Sequence, residues 1–136
     1  MKVLVACEYS GTVRDAFIAQ GHDAMSCDLL DTDVPGPHYK GDVHDLLHKH
    51  WDLIIAHPPC TAITVAGNST YGEGQAKYND RLSSVEWTVK LWKQCKLSSE
   101  RVCFENPVGV LQRLGGMPKP QYVHPWQFGH KEQKKT

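Results

Sequence analysis

The chain is defined first by what it lacks. Its five cysteines, Cys7, Cys27, Cys60, Cys95 and Cys103, form no Cys-x-x-Cys pair, and their number is odd. Neither a disulfide framework nor a zinc ribbon is written in that spacing, and reduced thiols in a cytoplasm are the natural expectation. The eight histidines include His44 and His48 at i,i+4, but no third and fourth ligand follow at metal-site spacing, so no metal is expected. No apolar run approaches the ~20 residues a membrane span needs, and no signal peptide precedes the first strand-like run. A Gly-x-Gly-x-x-Gly fingerprint and a Walker lysine are both missing, which weakens dinucleotide and triphosphate readings. There is no repeat and no low-complexity tract. The formal net charge is zero, which argues against a surface built mainly to coat nucleic acid.

What is present is unevenly spread. Residues 1–60 carry 4 Lys/Arg against 9 Asp/Glu, whereas residues 101–136 carry 6 against 2. Phosphate contacts would favour the basic last third, although for Lys131, Lys134 and Lys135 alone a solubilising tail is the first reading. At 136 residues a single domain spanning 1–136 is expected.

Lys2–Cys7 (KVLVAC) is a short continuous apolar run, as in a strand buried on both faces. Turn chemistry follows at Glu8–Gly11. Val13, Ala16, Phe17 and Gln20 then recur at helical spacing up to Gly21. Ala24–Cys27 predicts a second strand ending at Asp28, and the proline-containing stretch Leu29–Pro37 a loop. His38–Lys40 suggests a brief third strand, Val43–His50 a short helix, and Asp52–Ala56 (DLIIA) a central strand stopped by Pro58 and Pro59. Thr61–Asn79 shows no periodicity and reads as a long loop. Asp80 is expected to cap a long helix with Leu82, Val85, Val89 and Trp92 on one face. Arg101–Phe104 reads as a strand, Val108–Leu114 as a short helix and Gln121–Phe128 as one more strand. Its aromatic run, Tyr122–Phe128, is expected to pack rather than to stack on bases. This alternation predicts an α/β fold, a mostly parallel sheet with helices on both faces. Ligands of such sheets bind at the carboxyl ends of the strands.

Glu8, Asp28, Asp42, Cys60 and Glu105 all fall just past a predicted strand end. Singly, each acid reads as a helix cap or a loop solvator. Jointly, three acids at successive strand ends suit a ligand that carries a ribose, and the acidic first half suits a cation better than a phosphate. In His57-Pro58-Pro59-Cys60 the two prolines hold a thiol at a fixed point, as a nucleophile requires. An ordinary buried cysteine is the competing reading. The other four cysteines are expected in the core. Glu105, in Phe104-Glu105-Asn106-Pro107, could bind a ring nitrogen and an exocyclic amine together, or be merely solvated.

In this order the motifs resemble the DNA cytosine-5 methyltransferases, most closely the short forms of bacteriophages and prophages, over essentially the whole chain. Glu8-Tyr9-Ser10-Gly11 is similar to the family's cofactor loop. Asp28, with Leu29 beside it, matches the ribose-binding acid, and Asp42, with Val43, the adenine-contacting one. Pro59-Cys60 matches the Pro-Cys motif that carries the nucleophile, with Pro58 before it expected at the cofactor, and Glu105-Asn106 matches the Glu-Asn motif. The resemblance implies a Rossmann-like fold binding S-adenosylmethionine, with DNA as partner, in the cytoplasm of a bacterial host cell. It implies that Cys60 attacks C6 of a flipped-out cytosine held by Glu105, with Pro59, Asn106 and Lys134 near the base. Thr61–Asn79 would be the mobile catalytic loop.

The chain departs from the family in three ways. Phe128-Gly129-His130 begins what looks like a later basic motif, and the sequence stops at Thr136. The closing antiparallel strand and a separate target-recognition domain are therefore expected to be missing, leaving a sheet edge that dimerisation would cover. The double proline is typical of amino-methylating enzymes, though a thiol replaces their aromatic residue. Amino methylation, methylation of free nucleotides, and a non-catalytic cofactor- or nucleic-acid-binding module remain alternatives.

Overall fold

The computed structural model describes residues 1–132. They fall into two compact units: Met1–Pro58 with Leu91–Glu105, and Pro59–Lys90 with the chain from Asn106 onward.

The first unit is an α/β sheet. Strands β1 (Lys2–Ala6), β2 (Asp23–Asp28), β3 (His38–Lys40), β4 (Leu53–Ala56) and β5 (Val102–Phe104) lie in the order β3-β2-β1-β4-β5. Every pairing is parallel, with Val3 beside Ala24 and Leu53, and Ile55 beside Cys103. That order contains the 3-2-1 half of the doubly wound fold, extended by β4 and β5.

Side chains alternate across the sheet. Val3, Val5 and Ala24 meet Val13 and Phe17 of helix α1 (Thr12–Ala19) on one face. Leu4, Ala6, Cys27, Ile54 and Ala56 face the other way, onto Val43, Leu46, Trp51, Leu91 and Cys95. Gly21 (φ 81°) ends α1 in the left-handed region that glycine tolerates. In α1 it is Arg14 that is buried, whereas Ala16 is exposed.

Three expectations for this unit change. The helical stretch after Asp42 is a single 3-10 turn, Val43–Leu46. Cys103 is exposed rather than in the core; it lies on the α1 face of the edge strand, while α1 packs on β1 and β2. Cys7 is only half-buried.

The second unit is built on Ile63, Val85 and Val110, with Cys60, Val89, Leu111 and Leu114 packed against them. Thr61–Asn79 is not a featureless loop: it holds a 3-10 turn (Val65–Gly67), a one-turn helix α2 (Asn68–Tyr71) and the start of α3 (Tyr78–Ser98). Asp80 lies inside the first turn of α3 rather than capping it. The buried positions of α3 are Arg81, Val85, Thr88, Leu91, Cys95 and Ser98, and Leu82 is exposed. Helix α4 covers Leu111–Gly115. Gln121–Phe128 forms no strand; its last four residues make a 3-10 turn begun by Pro125, which has no N–H for a ladder. Trp126 and Phe128 are exposed (55% and 73%), so this aromatic run does not pack inward as expected. Among the described residues no helix is long and apolar enough to cross a membrane.

Candidate functional site

In the first unit the candidate residues follow the carboxyl ends of the strands. β1 ends at Ala6, and Cys7 turns the chain with φ 58°, the one non-glycine residue with positive φ among those described. A side chain in that region costs of order 1–3 kcal/mol. The Cys7 amide is followed by that of Glu8, which donates to Cys27 O at 3.0 Å and so joins the β1 tip to β2.

Glu8 is 5% exposed. Its Oε1 accepts from Val13 N at 2.7 Å and from Ser10 Oγ at 3.1 Å, and its Oε2 accepts from Arg14 N at 3.4 Å. Gly11, the residue before α1, has no side chain to cap the helix, and Glu8 supplies the carboxylate instead. Arg14 is fully buried beneath the β2–β3 loop. It donates to Ser26 Oγ and Thr32 Oγ1 at 3.2 Å each, to Val34 O at 3.2 Å and to Asp15 Oδ1 at 2.7 Å. His38 bridges the same loop, between Ser26 Oγ (2.9 Å) and Leu30 O (3.0 Å).

Asp28 ends β2, and its Oδ1 accepts from Leu30 N at 3.0 Å. Asp42 caps the following 3-10 turn, accepting from His44 N at 2.9 Å and from His44 Nδ1 at 2.6 Å. The His44 backbone and ring hydrogen bonds hold its carboxyl below the usual range. Asp28 and Asp42 share one neighbour: burial first, then these two carboxylates, push the Cys7 thiol up to about 12. Beyond β4 and β5, His57 Nδ1 lies 3.4 Å from Glu105 Oε2, and Glu105 N donates to Ala56 O at 2.9 Å. His57 Nε2 is buried with no hydrogen-bond partner among the described residues.

Of the remaining candidates in this unit, Tyr9 and Leu29 are exposed, Ser10 is half-buried, and Val43 and Pro58 are buried. Val43 belongs to the core, so it can offer a ligand only its backbone.

Cys60, Pro59 and Asn106 belong to the second unit. Pro59 is exposed, and Cys60 and Asn106 are half-buried. Cys60 O accepts from Ile63 N and Thr64 N at 3.0 and 3.1 Å, which closes a tight turn directly after the two prolines. Its side chain packs against the cluster of Ile63, Val85 and Val110. Lys134 lies outside the described residues.

Reading residue types misses Cys7, Arg14, His38 and Arg81. Arg14 and Arg81 sit where the helical pattern wants an apolar side chain, and that misfit is the signal each gives. Cys7 gives none, because its importance is a backbone angle. No family model, curated protein or solved structure matches the chain.

Proposed function

We propose that the chain is a methyltransferase that binds S-adenosylmethionine and acts at C5 of cytosine in DNA, with Cys60 as the nucleophile. The observation that carries the reading is the position of Glu8. In parallel α/β folds the start of the first helix is the usual seat of a ligand phosphate. Here the chain's own carboxylate already takes the amides of Val13 and Arg14, so a pyrophosphate would meet like charge. A nucleoside with a cationic centre meets attraction instead.

The acids beyond the strand tips fit that cofactor. Asp28 and Asp42 offer acceptor oxygens suited to a ribose diol and an adenine amine, and neither is paired with Lys or Arg among the described residues. Ser10 and the backbone of Leu29 and Val43 border the same strand ends. When bound, S-adenosylmethionine supplies an electrophilic methyl group.

The cytosine half of the reading rests on the ordered Pro59-Cys60 and Glu105-Asn106 motifs. The Cys60 thiolate adds to C6, forming a C–S bond, while the C5–C6 π pair makes C5 nucleophilic. Glu105 serves the ring nitrogen and exocyclic amine, donating a proton to the former. C5 would take the methyl group as its bond to the cofactor's sulfur breaks. A base then removes the C5 proton, the returning electron pair expels the thiolate, and the ring nitrogen gives its proton back to Glu105. The ring is restored and the enzyme is unchanged.

DNA carrying 5-fluorocytosine tests this, because fluorine cannot leave as the proton does. With S-adenosylmethionine present, the wild type is expected to form a covalent adduct stable to denaturation, and Cys60→Ala none. One observation favours a second reading: Cys60 packs against Ile63, Val85 and Val110, a contact that suits a thiol used only for packing. Methyl transfer to the exocyclic amine without an adduct would establish that reading. Absence of both cofactor binding by calorimetry and methyl transfer would overturn the two together.

A further inference from the structure

The segment after Cys60 is composed like a loose loop, yet its backbone is closely tied. Cys60 O takes two amides, those of Ile63 and Thr64. Thr64 also bridges Gly109 in antiparallel fashion, Val110 N donates to Ile63 O at 2.9 Å, and Val65 N donates to Val108 O at 3.0 Å. The approach is close enough that a Cβ on Gly109 would stand 2.3 Å from Ile63 O, and one on Gly67 2.6 Å from Thr61 O.

One side chain gathers carbonyls of this turn. Arg81, on α3 and 2% exposed, donates through Nε to Ala62 O at 2.7 Å and through Nη2 to Thr64 O at 2.9 Å. Through Nη1 it donates to Asn68 Oδ1 at 2.8 Å. No carboxylate pairs with Arg81 among the described residues. A buried cation held only by neutral acceptors is a costly way to fill space, and an apolar side chain of similar volume would do so with less desolvation. What the apolar side chain cannot do is orient three acceptors at fixed angles, as a planar guanidinium does.

We infer that Arg81 is the positioning residue of the Cys60 turn: its guanidinium fixes Ala62, Thr64 and Asn68, and through the Thr64 amide the backbone of Cys60. The inference rests on the proposed role of Cys60 as nucleophile. Lysine would keep the charge but lose the fork, so Arg81→Lys is a diagnostic variant. A displacement of the order of 1 Å at a reacting group costs about 100-fold in rate.

The test compares wild type, Arg81→Lys and Arg81→Ala in the full chain. The rate of adduct formation on 5-fluorocytosine DNA is expected to fall about 10- to 100-fold in Arg81→Lys, with the dissociation constant for S-adenosylmethionine unchanged. Added guanidinium ion is expected to restore part of the rate in Arg81→Ala. A second readout does not depend on turnover: iodoacetamide labelling of Cys60, followed by peptide mass spectrometry, with Cys27 and Cys95 as buried controls. Labelling is expected to change at least several-fold in Arg81→Lys while the controls stay protected. Adduct formation and labelling both at wild-type rates in Arg81→Lys would overturn the inference. A wild type that forms no adduct would overturn the nucleophile reading instead, and the labelling rates alone would then decide whether Arg81 positions the turn.

Discussion

His57 Nδ1 stands 3.4 Å from Glu105 Oε2, tying together the residues that follow β4 and β5. Once Glu105 has given its proton to the ring it is a carboxylate, which only accepts hydrogen bonds, and Nδ1 is then the donor of this pair. Asparagine places an N–H donor near the position of Nδ1; leucine keeps the bulk and removes the donor. His57→Asn is expected to retain most methyl transfer, and His57→Leu to lose about tenfold, the worth of one hydrogen bond to a charged group. Equal rates in the two variants, measured with labelled cofactor, would remove His57 from the mechanism.

Arg14 dominates the packing beneath the β2–β3 loop. Replacing it with methionine removes the donor shared by Ser26, Thr32 and Val34 and leaves Ser26 Oγ only its bond to His38, and Val34 O only the Thr32 hydroxyl. The expected loss is about 3 kcal/mol of unfolding free energy, read from urea denaturation. Because that loop borders Asp28, affinity for the proposed cofactor, S-adenosylmethionine, is expected to fall as well. A stable Arg14→Met protein with unaltered affinity would show that the loop holds itself.

Asp42 ties stability to pH. Hydrogen bonds from His44 lower its carboxyl from the ordinary 3.8, so the folded state binds the proton less readily than the unfolded one. Its contribution is therefore complete above that ordinary value and disappears as pH falls through the lowered one. Asp42→Ala is expected to cost up to about 1 kcal/mol near neutrality, the usual value of an N-cap. The gap from wild type should close in acid. A gap independent of pH would separate the cap from the charge.

Burial pushes the thiols of Cys7, Cys27 and Cys95 up to about 12. Near pH 8 roughly one such thiol in ten thousand is ionised. These three are expected to resist iodoacetamide until the protein unfolds, whereas exposed Cys103 reacts in the native state. Early loss of Cys7, which is half-buried, would show that the β1 tip opens.

The strands were readable because each is announced twice, by β-branched or apolar content and by the residue that stops it: Gly41 after β3, Pro58 after β4, Pro107 beyond β5. Helices α1 and α3 were readable in place but not in orientation. In α1 and α3 apolar spacing pointed to Ala16 and Leu82, whereas the buried positions belong to Arg14 and Arg81. Each arginine is satisfied by a mixture of backbone carbonyls and side-chain oxygens brought together by the fold, which no residue type reveals. The Gln121–Phe128 segment read as a strand, but Pro125 begins a turn there. The acids at the strand ends were found from order alone. That Glu8 is spent on α1 was not, because Gly11 as the residue before the helix leaves the capping partner unnamed.

Two glycines far apart in sequence close around the same guanidinium. A methyl group on Gly11 would stand 2.5 Å from Arg14 Nη2, and one on Gly36 2.6 Å from Arg14 Cζ. Positions 11, 14 and 36 therefore form one steric unit, able to change only in concert: a bulkier residue at either glycine demands a shorter one at 14, and with it a different fastening for the loop. Diversification of this scaffold should find these three sites moving together or standing still.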